Sequence, residues 1–173
     1  RIAGDGGDIA CFPLPNVGED TVNSVLMNQV VPLALSVRGE RVYHGSAVDF
    51  GDEAVAFVGA SGLGKSTLAA SFATSGIAFL TDDALHVAVS DGDIFVTAGD
   101  PSLRLWDDSR MALVGSRQVE TRPTAYAEKT RLLAGTVLRH CSERRLLRRI
   151  YHLGDGEARQ VEIRAIAPLE VVP

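Results

Sequence analysis

The sequence predicts an α/β fold of mixed β-sheets with few helices. Three observations carry that reading. Between residues 37 and 106, short apolar segments are punctuated by Gly- and Asp-containing turns, the rhythm of strands. Only two stretches, near 21–35 and 66–75, place apolar residues at helical spacing. Between a buried strand pattern and the second helical pattern lies a loop carrying three glycines. At 173 residues, with 46% hydrophobic and 23% charged side chains, the chain has the length and composition of one globular domain.

The elements follow in order. Residues 1–20 are rich in Gly, Asp and Pro and predict loop, with one short strand over Ile9–Phe12. Val22, Val25, Leu26 and Val30 share a helical face, and Pro32 is expected to end that helix near Val30 or Val31. Val37 leads into a turn at 38–40. Val42–Phe50, the turn at Gly51-Asp52-Glu53 and Ala54–Val58 form a meander. Ser66–Ser75 is a short helix stopped by Gly76, and Ile77–Leu80 is a buried strand. Leu85–Val89 and Ile94–Ala98 flank the hairpin turn Ser90-Asp91-Gly92-Asp93. Leu103–Trp106 is a further strand that puts Arg104 and Trp106 on one face, with Trp106 in the core. Residues 108–135 are mixed, with a loop at Thr121–Thr124. Leu146–Leu153 and Gln160–Ala165 read as strands joined through Gly154-Asp155-Gly156. The single domain thus divides into an N-terminal helix and strands (1–40), a core that carries the glycine loop (41–100) and C-terminal strands and helix (101–173).

Composition excludes several function classes. No apolar run approaches the roughly 20 residues needed to cross a bilayer, so membrane insertion is not expected. The start, Arg1-Ile2-Ala3-Gly4-Asp5, has neither an initiator Met nor an apolar leader, and a piece of a longer chain is expected. Cys11 and Cys141 lie far apart without a CxxC partner, which argues against a disulfide framework or structural zinc and fits a reducing cytoplasm. The net charge of −5 divides into −9 over residues 1–103 and +4 over 104–173. The positive portion can face an anionic ligand, while overall acidity argues against nucleic acid as a partner. Arg144, Arg145, Arg148 and Arg149 read as a solvated face, or as a contact for an acidic peptide.

Gly59-Ala60-Ser61-Gly62-Leu63-Gly64-Lys65-Ser66, followed by Thr67, matches G-x-x-x-x-G-K-[ST] in full. Roughly 0.002 accidental matches are expected in a chain of this composition. Glycines at 59, 62 and 64 allow a tight turn whose N–H groups can cradle phosphate, and the following helix offers its positive end to the same anion. Lys65 supplies a compact charge for the β- and γ-phosphates, and the Ser66 hydroxyl is placed for Mg²⁺. The chain uses 15 Arg and only 2 Lys, so lysine stands where an ammonium is wanted rather than a guanidinium fork. The same reasoning marks Lys129, with an ordinary surface lysine as its alternative.

Asp82-Asp83 follows the strand Ile77–Leu80, sixteen residues after Ser66. A short strand–helix–strand unit brings that strand end beside the loop. A carboxylate there can bind Mg²⁺ or accept a proton from an attacking hydroxyl. His44 alternates onto one strand face with Val42, Ser46 and Val48. By pattern alone it reads more readily as a core or surface residue than as a catalytic one.

Taken together, His44-Gly45-Ser46-Ala47-Val48, the loop at 59–66 and Thr81-Asp82-Asp83 resemble the HPr kinase/phosphorylase family, whose α/β core is similar to that of phosphoenolpyruvate carboxykinases. The resemblance covers residues 40–90 well. It implies that Asp82 is the general base toward a serine hydroxyl and that Asp83 assists the metal. It also implies that Lys65 and Ser66 hold ATP and Mg²⁺, and that His44 interacts with the acid pair. The family's glutamate-containing signature is replaced here by Pro101-Ser102-Leu103-Arg104-Leu105-Trp106-Asp107-Asp108, where Asp107 or Asp108 is the candidate replacement ligand. That segment is more similar to the lasso-peptide precursor kinases. Arg104 is a candidate contact for phosphate or a peptide carboxylate.

The expectation is therefore an ATP- and Mg²⁺-dependent kinase acting on a serine or threonine hydroxyl of a peptide or small protein, with a lasso-peptide precursor as the acceptor. An HPr(Ser) kinase/phosphorylase and a nucleotide-sensing peptide-binding module are the alternatives. A transport-type ATPase is disfavoured because no LSGGQ-like signature follows the loop. The family often assembles, so a homo-oligomer is admitted.

Overall fold

A computed structural model describes residues 1–122, 128–154 and 160–167. The first elements are helical: α1 (Glu19–Val25), a π-helical turn (Leu26–Val30) and α2 (Val31–Val37) follow without interruption. Pro32 thus does not end the helix where the sequence suggests. It occupies the first turn of α2, where a missing N–H costs least. The wider turn before it carries the Val31 N–H back to the Leu26 carbonyl. Val37 accordingly closes a helix and does not start a strand. The strand expected over Ile9–Phe12 shrinks to one antiparallel bridge between Ile2 and Ile9.

β1 (Arg41–Asp49) is long enough to serve several neighbours. Its first half, Arg41–His44, pairs with β4 (Ala84–Ser90), and its second half pairs with β2 (Glu53–Val58) and with β3 (Phe79–Thr81). β4 continues through the hairpin to β5 (Asp93–Val96), β5 pairs with β9 (Arg145–His152), and β9 runs parallel to β2. The pairing β1-β2-β9-β5-β4 therefore closes on itself, with β3 attached to β1. A second antiparallel sheet joins β6 (Ser102–Leu105), β8 (Thr130–Leu133) and β7 (Thr121–Arg122).

Strand alternation feeds two cores from one ribbon. Ala47, Ala54, Ala56, Leu80, Leu85, Val87 and Val96 pack together on one side. On the other, Val48, Phe57 and Phe79 meet α3 (Lys65–Thr74) and the second sheet through Ala69, Ala70, Ala73, Leu103, Leu105 and Leu132. The alanines of α3 let the helix approach the sheet closely. Its end closes as a Schellman motif, with the Gly76 N–H on the Ala73 carbonyl and the Ile77 N–H on the Phe72 carbonyl.

The helix expected in the C-terminal portion takes its place, and two further expectations are corrected. The mixed region after residue 106 opens with α4 (Asp107–Leu113), two acidic residues in its first turn suiting the helix dipole. Trp106 is not core: it stands at the start of α4 and is 45% exposed. Gln160–Ala165 forms no strand, and Val161 is 92% exposed. β9 pairs with β2 over Leu146–His152 and with β5 only at Arg145 and Leu146, and the segment pairs with neither. Of the loop expected at Thr121–Thr124, Thr121 and Arg122 form β7 instead; the other two residues and the connection after Gly154 lie outside the described residues. Of the arginine cluster, Arg145 pairs with Asp49 at 3.1 Å, Arg148 lies 3.7 Å from Glu53, and Arg144 stacks on Phe95. Those contacts fit the solvated-face reading. Cys11 and Cys141 are both free thiols.

Candidate functional site

The loop 59–64 joins the end of β2 to the start of α3 and turns through glycines with positive φ: 139° at Gly59, 87° at Gly62 and 87° at Gly64. At Gly59 the need is also steric, because a Cβ there would lie 2.9 Å from the Leu153 carbonyl oxygen. Lys65 opens α3 and is only 5% exposed. Its Nζ donates to the carbonyls of Gly59 (2.9 Å) and Ala60 (2.8 Å), so the ammonium is folded back over the loop. Burial pushes the Lys65 ammonium below its ordinary range; Asp83 pulls it up, Lys129 lowers it further and Asp82 raises it.

β3 lies across β1 from β2, and its end delivers Asp82 beside α3. The Ser66 hydroxyl donates to Asp82 Oδ1 at 2.8 Å, and the hydroxyl of Ser46, from β1, donates to the same oxygen at 2.7 Å. Asp82 Oδ2 accepts the backbone N–H of Arg104 at 3.1 Å. Asp82 is 6% exposed, and its carboxyl is raised above the usual range by burial and then by the neighbouring Asp83, against the pull of those three donors. Ser46 is the site residue sequence reasoning left without a role. Its alternation with His44 was the available signal.

Asp83 follows with φ 67°, a left-handed conformation at the turn into β4. That turn sends its side chain away from Asp82's donors. Asp83 Oδ2 accepts from Arg104 Nε at 2.7 Å and from Arg104 Nη2, and Oδ1 lies 4.0 Å from His44 Nδ1. The same His44 nitrogen is 3.2 Å from the Asp83 carbonyl oxygen. Arg104, on β6, therefore touches both carboxylates, one through its backbone and one through its side chain.

A cleft of about 180 Å³ opens here, lined by His44, Ser61, Gly62, Gly64, Lys65, Ser66, Thr67, Asp83, Arg104, Trp106, Asp108, Ser109 and Lys129. Thus His44, Lys65, Ser66, Asp83, Arg104 and Lys129, which are scattered through the chain, share one wall system. Asp82 stands behind it and contributes to a separate cavity under the π-helical turn and α2. Gly59 and Ala60 serve through the carbonyls that hold Lys65. Trp106 faces the cleft with Lys129 Nζ 5.6 Å from its ring centroid, a cation–π contact. Ser109 is another residue unforeseen from sequence: its hydroxyl receives Thr67 Oγ1 at 3.2 Å and ties α4 to the start of α3. Asp108 lines the cleft, whereas Asp107 points to Arg110 and Thr130.

Among the described residues, no three His, Cys, Asp or Glu side chains cluster closely enough to form an all-protein metal cage. The donor pair Ser66 and Asp82 is nevertheless of the kind Mg²⁺ accepts, since that ion commonly takes one or two protein oxygens and completes its shell with phosphate and water. No helix among the described residues is long and apolar enough to cross a membrane.

No protein-family model matches the chain, and no curated protein matches it. Among solved structures, it is similar to the HPr(Ser) kinase/phosphatase from Coxiella burnetii, at 12% identity over 75% of this chain and 72% of that one, with a TM-score of 0.44.

Proposed function

We propose that this chain is an ATP-dependent phosphotransferase that phosphorylates a serine or threonine hydroxyl of a peptide or small protein, with a lasso-peptide precursor as its acceptor. One observation carries the reading. Ser66 and Asp82, sixteen residues apart, meet at 2.8 Å beside a buried lysine, while the next carboxylate, Asp83, lines the open cleft.

Each group has a task in phosphoryl transfer, where catalysis is mainly positioning and charge neutralisation. Lys65 exchanges the carbonyls of Gly59 and Ala60 for β- and γ-phosphate oxygens, whose negative charge favours the ammonium. The loop N–H groups and the start of α3 surround the same oxygens. Ser66, on the cleft wall, would hold Mg²⁺ with Asp82 behind it accepting the Ser66 hydroxyl, and the ion would supply charge neutralisation to the bound triphosphate. Ser46 keeps Asp82 turned toward Ser66. The resemblance places the base at Asp82; the geometry supports Asp83 instead, because Asp82 is walled in by three donors and Asp83 meets the cleft. His44 sits beside Asp83 Oδ1 and steadies its carbonyl.

The test is incubation with γ-labelled ATP, Mg²⁺ and peptides carrying serine or threonine near the C-terminus, among them lasso-precursor sequences. Label is expected on the peptide, and Lys65→Ala is expected to lower transfer at least a hundredfold, the scale of losing one key electrostatic group. Nucleotide binding without any labelled peptide would favour the sensing module over the kinase.

A further inference from the structure

Arg104 spends its guanidinium in an unusual way. Nε and Nη2 both converge on one oxygen, Asp83 Oδ2, while Asp83 Oδ1 is left toward His44. An arginine matched to a carboxylate or phosphate prefers two parallel bonds to two oxygens. The pair is also secluded, with each side chain 14% exposed, yet both line the cleft that holds Lys65. Lys65 is arranged alike: its ammonium rests on loop carbonyls rather than on an anion. Two cations facing the loop are thus both engaged by local acceptors that a phosphate would displace.

We propose that Arg104 is a nucleotide-gated clamp, holding Asp83 and passing to the terminal phosphate when a triphosphate binds. The proposal rests on the phosphotransferase reading and adds a trigger to it. A γ-phosphate offers the fork two oxygens, where Asp83 now offers one. When the guanidinium moves, Asp83 Oδ2 is released to receive a proton. The acceptor oxygen then forms its bond to the γ-phosphorus. The bond from that phosphorus to the bridging oxygen breaks, with its electron pair leaving on ADP, and the hydroxyl proton passes to Asp83. Without a triphosphate the carboxylate stays clamped and the site stays idle. The Arg104 backbone N–H on Asp82 gives the side chain a fixed pivot during the exchange.

The experiment is calorimetric titration of Mg-ATP and Mg-ADP into the wild-type chain, Arg104→Met and Arg104→Lys. Loss of a contact to the terminal phosphate weakens ATP, which carries that phosphate, and spares ADP, which does not. Arg104→Met is expected to weaken ATP at least tenfold and ADP less than twofold, and Arg104→Lys to recover part of the ATP loss. Retained ADP binding reports that a variant is folded. Equal weakening of both nucleotides, or of neither, overturns the clamp while leaving the phosphotransferase reading standing. A wild-type chain that binds neither nucleotide overturns both.

Discussion

Replacing Asp82 with asparagine separates the cost of the site from its use. The carboxylate accepts from Ser46 at 2.7 Å, Ser66 at 2.8 Å and Arg104 N–H at 3.1 Å. Three donors would ordinarily favour the ionised form. Burial and the adjacent Asp83 outweigh them, and the carboxyl is raised. The charge is therefore a net burden on the folded, ligand-free chain. In the unfolded chain the group ionises near 3.8. Below that pH both states hold the proton, and the raised pKa costs nothing. As pH climbs, the unfolded state loses its proton first, so the native state is progressively disfavoured until its own carboxyl ionises. Asparagine keeps one acceptor, gains a donor that either serine oxygen can accept, and carries no charge. Asp82→Asn is expected to stabilise the metal-free chain by about 1–2 kcal/mol at pH 8, the range of substitutions that relieve a functional site. For a domain of this size that is roughly 2–8 °C in Tm. Scanning calorimetry of both chains in EDTA, from pH 4.5 to 8.5, reads the difference. A gain that widens with pH supports the argument. An unchanged or lower Tm at pH 8, or an offset independent of pH, refutes it.

Further expectations concern the supports of the site. A Cβ added at Gly99 would lie 2.2 Å from Thr81 Oγ1, whose residue is fully buried immediately before Asp82. Gly99→Ala should cost about 1–3 kcal/mol by overpacking, seen as a lower urea midpoint. Phe79 is fully buried on β3 with its ring 4.9 Å from that of His140, and Phe79→Ala should cost about 3–5 kcal/mol in the same assay. Trp106 is the chain's single tryptophan and lines the cleft, so Mg-ATP should change its emission in wild type and not in Lys65→Ala.

The local signals were legible wherever one stretch of chain decides the outcome. The glycine spacing at 59–64, the helix after it, the Gly76 stop and the hairpin at 90–93 all depend on residues a few positions apart. Pro32 misled because a lost N–H is read as a helix end, whereas a π turn a few residues earlier absorbs it. Trp106 misled because size alone suggested burial, whereas β6 ends at Leu105 and Trp106 stands at the start of α4, lining the cleft with Arg104. Gln160–Ala165 has good alternation, but alternation alone does not make a strand where the segment pairs with no neighbour.

From the residues themselves came the loop, its lysine and serine, and the acid pair, because backbone conformation and charge at that spacing leave little choice. Tertiary structure decided which carboxylate is enclosed and which is open. It also brought Arg104, Ser109 and Lys129 to the cleft and set the buried Ser46 behind Asp82. The reason is that β1 bridges β2 and β3, and the second sheet packs over α3. Contacts of that range arise from how strands close and sheets stack, which no short window of sequence encodes.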